Sequence, residues 1–163
     1  MYFRSSPFLV ALQILAATVA SAPRALAEAH PGHSSTHAAT LPTLVVHKTR
    51  DCLCCDKWID IAKVEGFRVE VRETSDITDV KKRAGVPLAK ASCHTTTAGG
   101  YFFEGHVPLD LVRRVLDTRP ALAGLLAPGM PQSAPGMDDG SSHQPYEVLA
   151  LGRDGKLTTY ARR

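Results

Sequence analysis

Three cysteines fall within four positions, Cys52, Cys54 and Cys55, in the stretch HKTRDCLCCDKW. The outer two have the C-x-x-C spacing of a thioredoxin-type redox pair. The middle one is surplus to that chemistry. A third thiol gives a redox pair an unwanted exchange partner, whereas a metal site gains a ligand from it. At a strand-to-helix junction, unpaired backbone N–H groups and the helix dipole favour thiolate over thiol, which serves nucleophile and metal ligand alike. Cys52 and Cys55 stand three residues apart and share a helix face. Cys54 points elsewhere on a regular helix, so all three sulfurs converge only if Cys52 and Leu53 still belong to the loop. Bridges within CLCC have poor geometry, a vicinal Cys54–Cys55 bond being strained, and structural staples ordinarily join distant segments.

The fourth cysteine is Cys93 in ASCHTT, with His94 directly after it. Taken alone, a strand cysteine reads as a small buried hydrophobe. Beside CLCC it reads as a fourth soft ligand. If the strand is regular, Cys93 and His94 point to opposite faces, so one of them must lie just outside it to reach the cluster. Thiolate-rich sites select Cu(I), Zn(II) or iron–sulfur clusters, and a closed Cys₄ site suits structural zinc. The remaining soft donors favour copper. Met130 and Met137, flanked by Gly and Pro in GMPQSAPGM, are the two methionines left once the initiator is set aside. Their thioethers suit Cu(I) better than Zn(II). His106, in EGHVP after the predicted fourth strand, is a further candidate ligand. His47 on the first strand reads as structural and His143 as a solvated loop residue.

The elements that must position these side chains follow from periodicity. TLVVHKT is a short buried strand starting at Thr43. CDKWIDIAKVEG is a helix with Trp58, Ile59, Ala62 and Val64 on its inner stripe and Gly66 as its stop. FRVEVRET alternates as a half-exposed strand. SDITDVKKRAG is a helix capped by Ser and Asp and ended by Gly85. SCHTTTAGGYFFEG forms two strands around a Gly-Gly turn, with Cys93 on the first of them. PLDLVRRVLDTRP is an amphipathic helix with Leu109, Val112, Val115 and Leu116 inward. The order β-α-β-α-β-β-α predicts an α/β fold of the thioredoxin-like kind, a mixed sheet with helices on both faces. In that sheet the third strand neighbours the first, which brings Cys93 towards CLCC. Beyond about residue 124 a Pro/Gly-rich loop and a β-hairpin around RDG form a C-terminal extension of the 43–163 domain.

Ahead of that domain, MYFR, an apolar run and the small-x-small Ala25–Ala27 make residues 1–27 a secretory signal peptide cleaved after Ala27. The apolar run is too short for a comfortable membrane span, and no cysteine follows the cut to carry a lipid, so no membrane anchor is expected. Residues 28–42 are polar, small and His-containing, a disordered tail. The whole chain has 19 basic and 16 acidic residues. Cleavage removes Arg4 and Arg24 and no acid, leaving 17 against 16, a near balance that gives no reason to expect nucleic acid. Cleavage also makes Glu28-Ala29-His30 the new amino terminus. A free amine followed by His at position three offers four nitrogens in a plane, a set suited to Cu(II) or Ni(II), and in this chain read as a second copper site.

CLCC, GVP, SCHT, GYFFEGHVP and APGMPQSAPGM together resemble the CopG-like family of exported copper-resistance proteins, from Thr43 to the C-terminus. The family usually has Gly where this chain has Leu53, a loop position and no ligand. The resemblance implies a thioredoxin-like fold and a cysteine-bridged polynuclear copper site in the periplasm. It carries over Cys52, Cys54, Cys55 and Cys93 as ligands, and His94, His106, Met130 and Met137 as members of the motifs. The expectation is therefore a periplasmic copper-binding protein of copper tolerance, holding several Cu(I) ions per chain. Whether the protein also changes copper's oxidation state, in exchange with other periplasmic copper-handling or export proteins, the sequence leaves open. The alternatives are a thiol–disulfide oxidoreductase with Cys52 as nucleophile and Cys55 as resolving thiol, and a structural zinc adaptor.

Overall fold

Alternation in LVVHK, with Leu44, Val46 and Lys48 buried, makes β1 (Leu44–Lys48) a strand of the sheet centre. In the computed structural model, which describes residues 41–138 and 143–163, the chain then enters α1 (Leu53–Val64). β2 (Val69–Glu73), α2 (Ile77–Ala84), a 3₁₀ turn at Leu88–Lys90, β3 (Thr95–Ala98), β4 (Tyr101–Glu104) and α3 (Leu109–Thr118) follow. β5 (Leu122–Leu126), β6 (Glu147–Gly152) and β7 (Leu157–Arg162) complete a seven-stranded sheet of order β2-β1-β3-β4-β5-β6-β7. β1 runs parallel to β2 and antiparallel to β3, and β4 runs parallel to β5. The fold is a mixed α/β sheet with helices, and the expected β1–β3 adjacency is present.

Helices cover both faces. Trp58, Ile59 and Ala62 of α1 and Leu109, Val112, Val115 and Leu116 of α3 meet Leu44, Val46 and Phe103 in the main core. Val86, Phe102, Leu126 and Leu151 form a smaller cluster, against which Ala84 of α2 packs. Phe102 and Phe103 are neighbours on β4 and feed opposite clusters, as period-two alternation requires. The caps follow local chemistry. The Asp76 carboxylate accepts the Asp79 N–H at the start of α2, and Gly85 ends the helix at φ +78, in the left-handed region.

The structure corrects five expectations. GLL at 124–126 is not the start of a loop but the end of β5, which is buried and parallel to β4, so the sheet continues unbroken into the region assigned to a C-terminal extension from about 124. Its short apolar run reads as strand only once α3 returns the chain beside β4. Val64 is 88% exposed, because α1 ends there and turns its last residue off the core stripe. Leu41 packs on the core and its carbonyl accepts from Arg68, so the domain includes residues assigned to the tail. Leu53 is the first helical residue, with only Cys52 left outside α1. Cys93 precedes β3 rather than lying on it. The signal peptide and the Glu28/His30 site lie outside the described residues. Among the described residues, no helix is long and apolar enough to cross a membrane.

Candidate metal centre

β1 delivers the chain to the site, and a buried cation holds the junction. Lys48, at the end of β1, is 3% exposed. Its ammonium pairs with Asp56 at 2.9 Å in the first turn of α1 and donates to the Arg50 carbonyl at 3.0 Å. That clamp fixes the turn carrying Cys52, whose φ of −84° and ψ of 84° lie outside the helix. The bend lets Cys52 approach both partners from the N-cap. The Cys52 and Cys54 sulfurs are 3.6 Å apart, and Cys52 and Cys55 form a disulfide with Cα atoms 5.3 Å apart. Poor bridging geometry within CLCC is thus corrected for the outer pair: a non-helical N-cap and a first-turn residue fall within ordinary disulfide reach.

The turn before β3 supplies the other half. The four sulfur atoms of Cys52, Cys54, Cys55 and Cys93 all lie within 4.8 Å of one another. Cys93 also belongs to a second group with His94 and His106, gathered within the same limit. Because neither Cys93 nor His94 is on the strand, strict alternation does not separate them. The Cys93 sulfur sits 3.3 Å from His94 Nδ1 and 3.1 Å from His106 Nε2. Cys93 therefore joins a thiol cluster to an imidazole pair.

Hydrogen bonding orients the donors. A carbonyl only accepts, so the 2.7 Å contact from His106 Nδ1 to Pro135 O puts the proton on Nδ1. This leaves the Nε2 lone pair aimed at the Cys93 sulfur. His94 is fully buried, and its Nε2 has no hydrogen-bond partner among the described residues. Its ring lies 5.0 Å from both Trp58 and His106, centroid to centroid. The Trp58 indole N–H donates to Val107 O at 3.0 Å and ties α1 to the segment bearing His106. Burial holds His94 well below the ordinary imidazole range, with the charges of His106 and Lys81 adding to the effect. Burial also lowers His106, opposed by its bond to Pro135. Burial and then the neighbouring Cys54 push the Cys93 thiol up to about 12. Neutral imidazoles beside clustered sulfurs are groups that could hold a soft metal ion.

The methionine loop closes over this cluster. Gly136 has φ +81, and a Cβ there would lie 2.7 Å from the Trp58 nitrogen and 3.1 Å from the Cys54 carbonyl oxygen. Only glycine lets the loop come so close to the first turn of α1. Met137, next in sequence, is half-buried. Met130 is 57% exposed and shares with Cys93, Ser92, Ala91 and Gly129 the lining of an open cavity of about 380 Å³. His47 stays on β1, paired in register with Arg72 and Thr95 and outside both ligand groups, and His143 is exposed. Sequence reasoning missed the Pro135 carbonyl and the supporting residues Lys81 and Glu104. The one signal for the latter was a carboxylate in the apolar run YFFEG.

Two solved structures titled as forms 1 and 2 of copper resistance protein CopG match at 36% identity, with TM-scores of 0.71 and 0.72, over 76% of this chain and 98% of theirs. The chain belongs to the CopG family. A family model described as a protein of unknown function, DUF411, matches residues 90–137, which span Cys93, both buried histidines and the methionine loop of this CopG-family chain. No curated protein matches it.

Proposed function

We propose that this chain binds copper in copper resistance, holding several Cu(I) ions in a cysteine-bridged site. The observation that carries the reading is the convergence of four sulfurs, with Cys93 shared by two buried imidazoles. The likeness to copper resistance proteins of the CopG family supports copper as the metal. Cys52, Cys54, Cys55 and Cys93 are the bridging thiolates, His94 and His106 supply nitrogen, and Met130 and Met137 supply thioether sulfur at the rim. The strand order β2-β1-β3-β4, with the cysteines where β1 meets α1, supports a thioredoxin-like origin for this half of the sheet. Redox interconversion fits the same residues. Two Cu(II) ions oxidise the Cys52 and Cys55 thiols to a disulfide, giving two Cu(I) and two protons.

The test is Cys54→Ser in the reduced protein. Cu(I) bound per chain, measured by competition with a chromophoric chelator, exceeds one in the wild type and falls strongly in the variant. The Cys52–Cys55 disulfide favours a second reading, a thiol–disulfide oxidoreductase with half-exposed Cys52 attacking and buried Cys55 resolving. That reading prevails if Cys54→Ser binds copper like the wild type while Cys52→Ser abolishes disulfide reductase activity. Metal analysis of protein from its native compartment separates copper from zinc.

The cellular setting belongs to the same proposal: export by residues 1–27, a periplasmic location, and exchange with other copper-handling or export proteins there. Mass spectrometry of the mature chain checks cleavage after Ala27. A Cu(II) site at Glu28-Ala29-His30 is part of it. Cu(II) added to a Cys-free variant gives a violet-pink band at one equivalent, which is lost when one residue is added before Glu28.

A further inference from the structure

Glu104 is fully buried at the end of β4. Its Oε1 accepts from Lys81 Nζ at 2.6 Å and from the Ser92 backbone N–H at 2.6 Å. Its Oε2 accepts from the Thr95 hydroxyl at 2.7 Å, and that hydroxyl accepts from Lys81 Nζ at 3.1 Å. Lys81 is 4% exposed. Glu104 shares strand parity with Phe102, so both project onto the α2 face of the sheet. Across the sheet, His94 packs on Trp58 of α1, the helix whose first turn carries Cys54 and Cys55. The carboxylate thus grips residues 92 and 95, and only Cys93 and His94 lie between its two holds. The His94 carbonyl is held in turn by Gly105 N–H at 2.9 Å, beside Glu104 in sequence.

An ion pair this deep is a poor device for stability. Desolvating two charges offsets most of their attraction, and an apolar pair of similar volume commonly serves as well. The geometry offers another reason for keeping it. We propose that Lys81 and Glu104 are positioning residues that pin the Ser92–Thr95 turn from the opposite face, presenting Cys93 and His94 to the metal centre. This role rests on the proposed copper site. Lys81 sets the carboxylate and the Thr95 hydroxyl, and Glu104 sets the turn.

Two double variants of the full chain separate this role from general stability. In Lys81→Met/Glu104→Leu the charge pair becomes apolar and the Ser92 N–H loses its acceptor. In Lys81→Met/Glu104→Gln the amide oxygen still accepts from Ser92 and the amide N–H₂ donates to Thr95. Cu(I) affinity by chelator competition, and the alkylation rate of Cys93 relative to Cys54 in reduced, metal-free protein, are measured for both, with thermal midpoints alongside. The Leu variant loses about tenfold in Cu(I) affinity and gains about tenfold in relative Cys93 alkylation, the scale of one buried hydrogen-bonding group left unmet. The Gln variant restores both readouts even where its midpoint is no higher. A copper-loaded wild type, with a Leu variant unchanged in affinity and alkylation, overturns this role alone. So does a Gln variant that fails to rescue while matching the Leu variant in midpoint. A wild type that takes up no Cu(I) overturns the copper reading and this role with it.

Discussion

Cys93 is the residue on which the two ligand groups meet, and its environment makes a claim about protons. Burial keeps it a thiol up to about pH 12 in the metal-free protein. A soft metal that takes its sulfur must displace that proton. Apparent Cu(I) affinity therefore rises with pH, by about tenfold per pH unit for this thiol across roughly pH 6 to 9. Competition titrations at several pH values measure the slope, and a flat profile would remove Cys93 from the ligand set. The cysteines themselves were legible in sequence, because four soft side chains in an otherwise ordinary composition have few other uses. The histidines were not legible to the same degree. Nothing local says that His106 gives its Nδ1 proton to Pro135, 29 residues away.

At the scale of elements, the segment between β5 and β6 is the informative one. Its Pro and Gly content made it a loop in sequence, and residues 127–138 are indeed without strand or helix. Gly136 nonetheless seats it on the first turn of α1. Met130 and Met137 are carried by that loop, where the proposed capping or transfer of Cu(I) can be tested. Replacing both by Leu keeps volume and apolarity. The expected cost in stability is under about 1.5 kcal/mol, whereas copper retention against a chelator falls. Equal retention in the double variant would return both residues to packing. β5 shows the opposite failure of local reading. LAGLL contains a glycine and no alternation, and both features are explained only by burial on two faces. A Cβ on Gly124 would lie 2.6 Å from the ring of Phe102, so the strand's own glycine is a packing device.

For the whole molecule, burial of titratable groups sets the pH range of the metal-free fold. His47, His94 and His106 are all held below the ordinary 6.5, burial being the first cause in each. The unfolded chain therefore takes up protons first as the medium is acidified. The stability these neutral rings contribute is present above 6.5 and is lost as pH falls through their lowered values. Tyr146 is raised above 10, again by burial first. Its contribution is present below 10 and is lost as pH rises through the raised value. The thermal midpoint of the metal-free protein should fall from about pH 7 to about pH 5, above the range where most carboxylates titrate. Calorimetry or circular dichroism across that interval checks it, and a constant midpoint would contradict the burial assigned to the histidines. The amino-acid sequence by itself determined the α/β order, the strand-to-helix seat of CLCC and the β1–β3 adjacency, and it marked the cysteines that the fold gathers. Periodicity, caps and ligand chemistry are local properties and are written in neighbouring residues. Only the tertiary structure decided that β5 joins the sheet, that Cys93 and His94 share one turn off the strand, and that Cys52 reaches Cys55. It alone placed Lys81 and Glu104 behind that turn. Each of these depends on contacts between segments far apart in the chain, where burial and backbone hydrogen bonding override the local pattern.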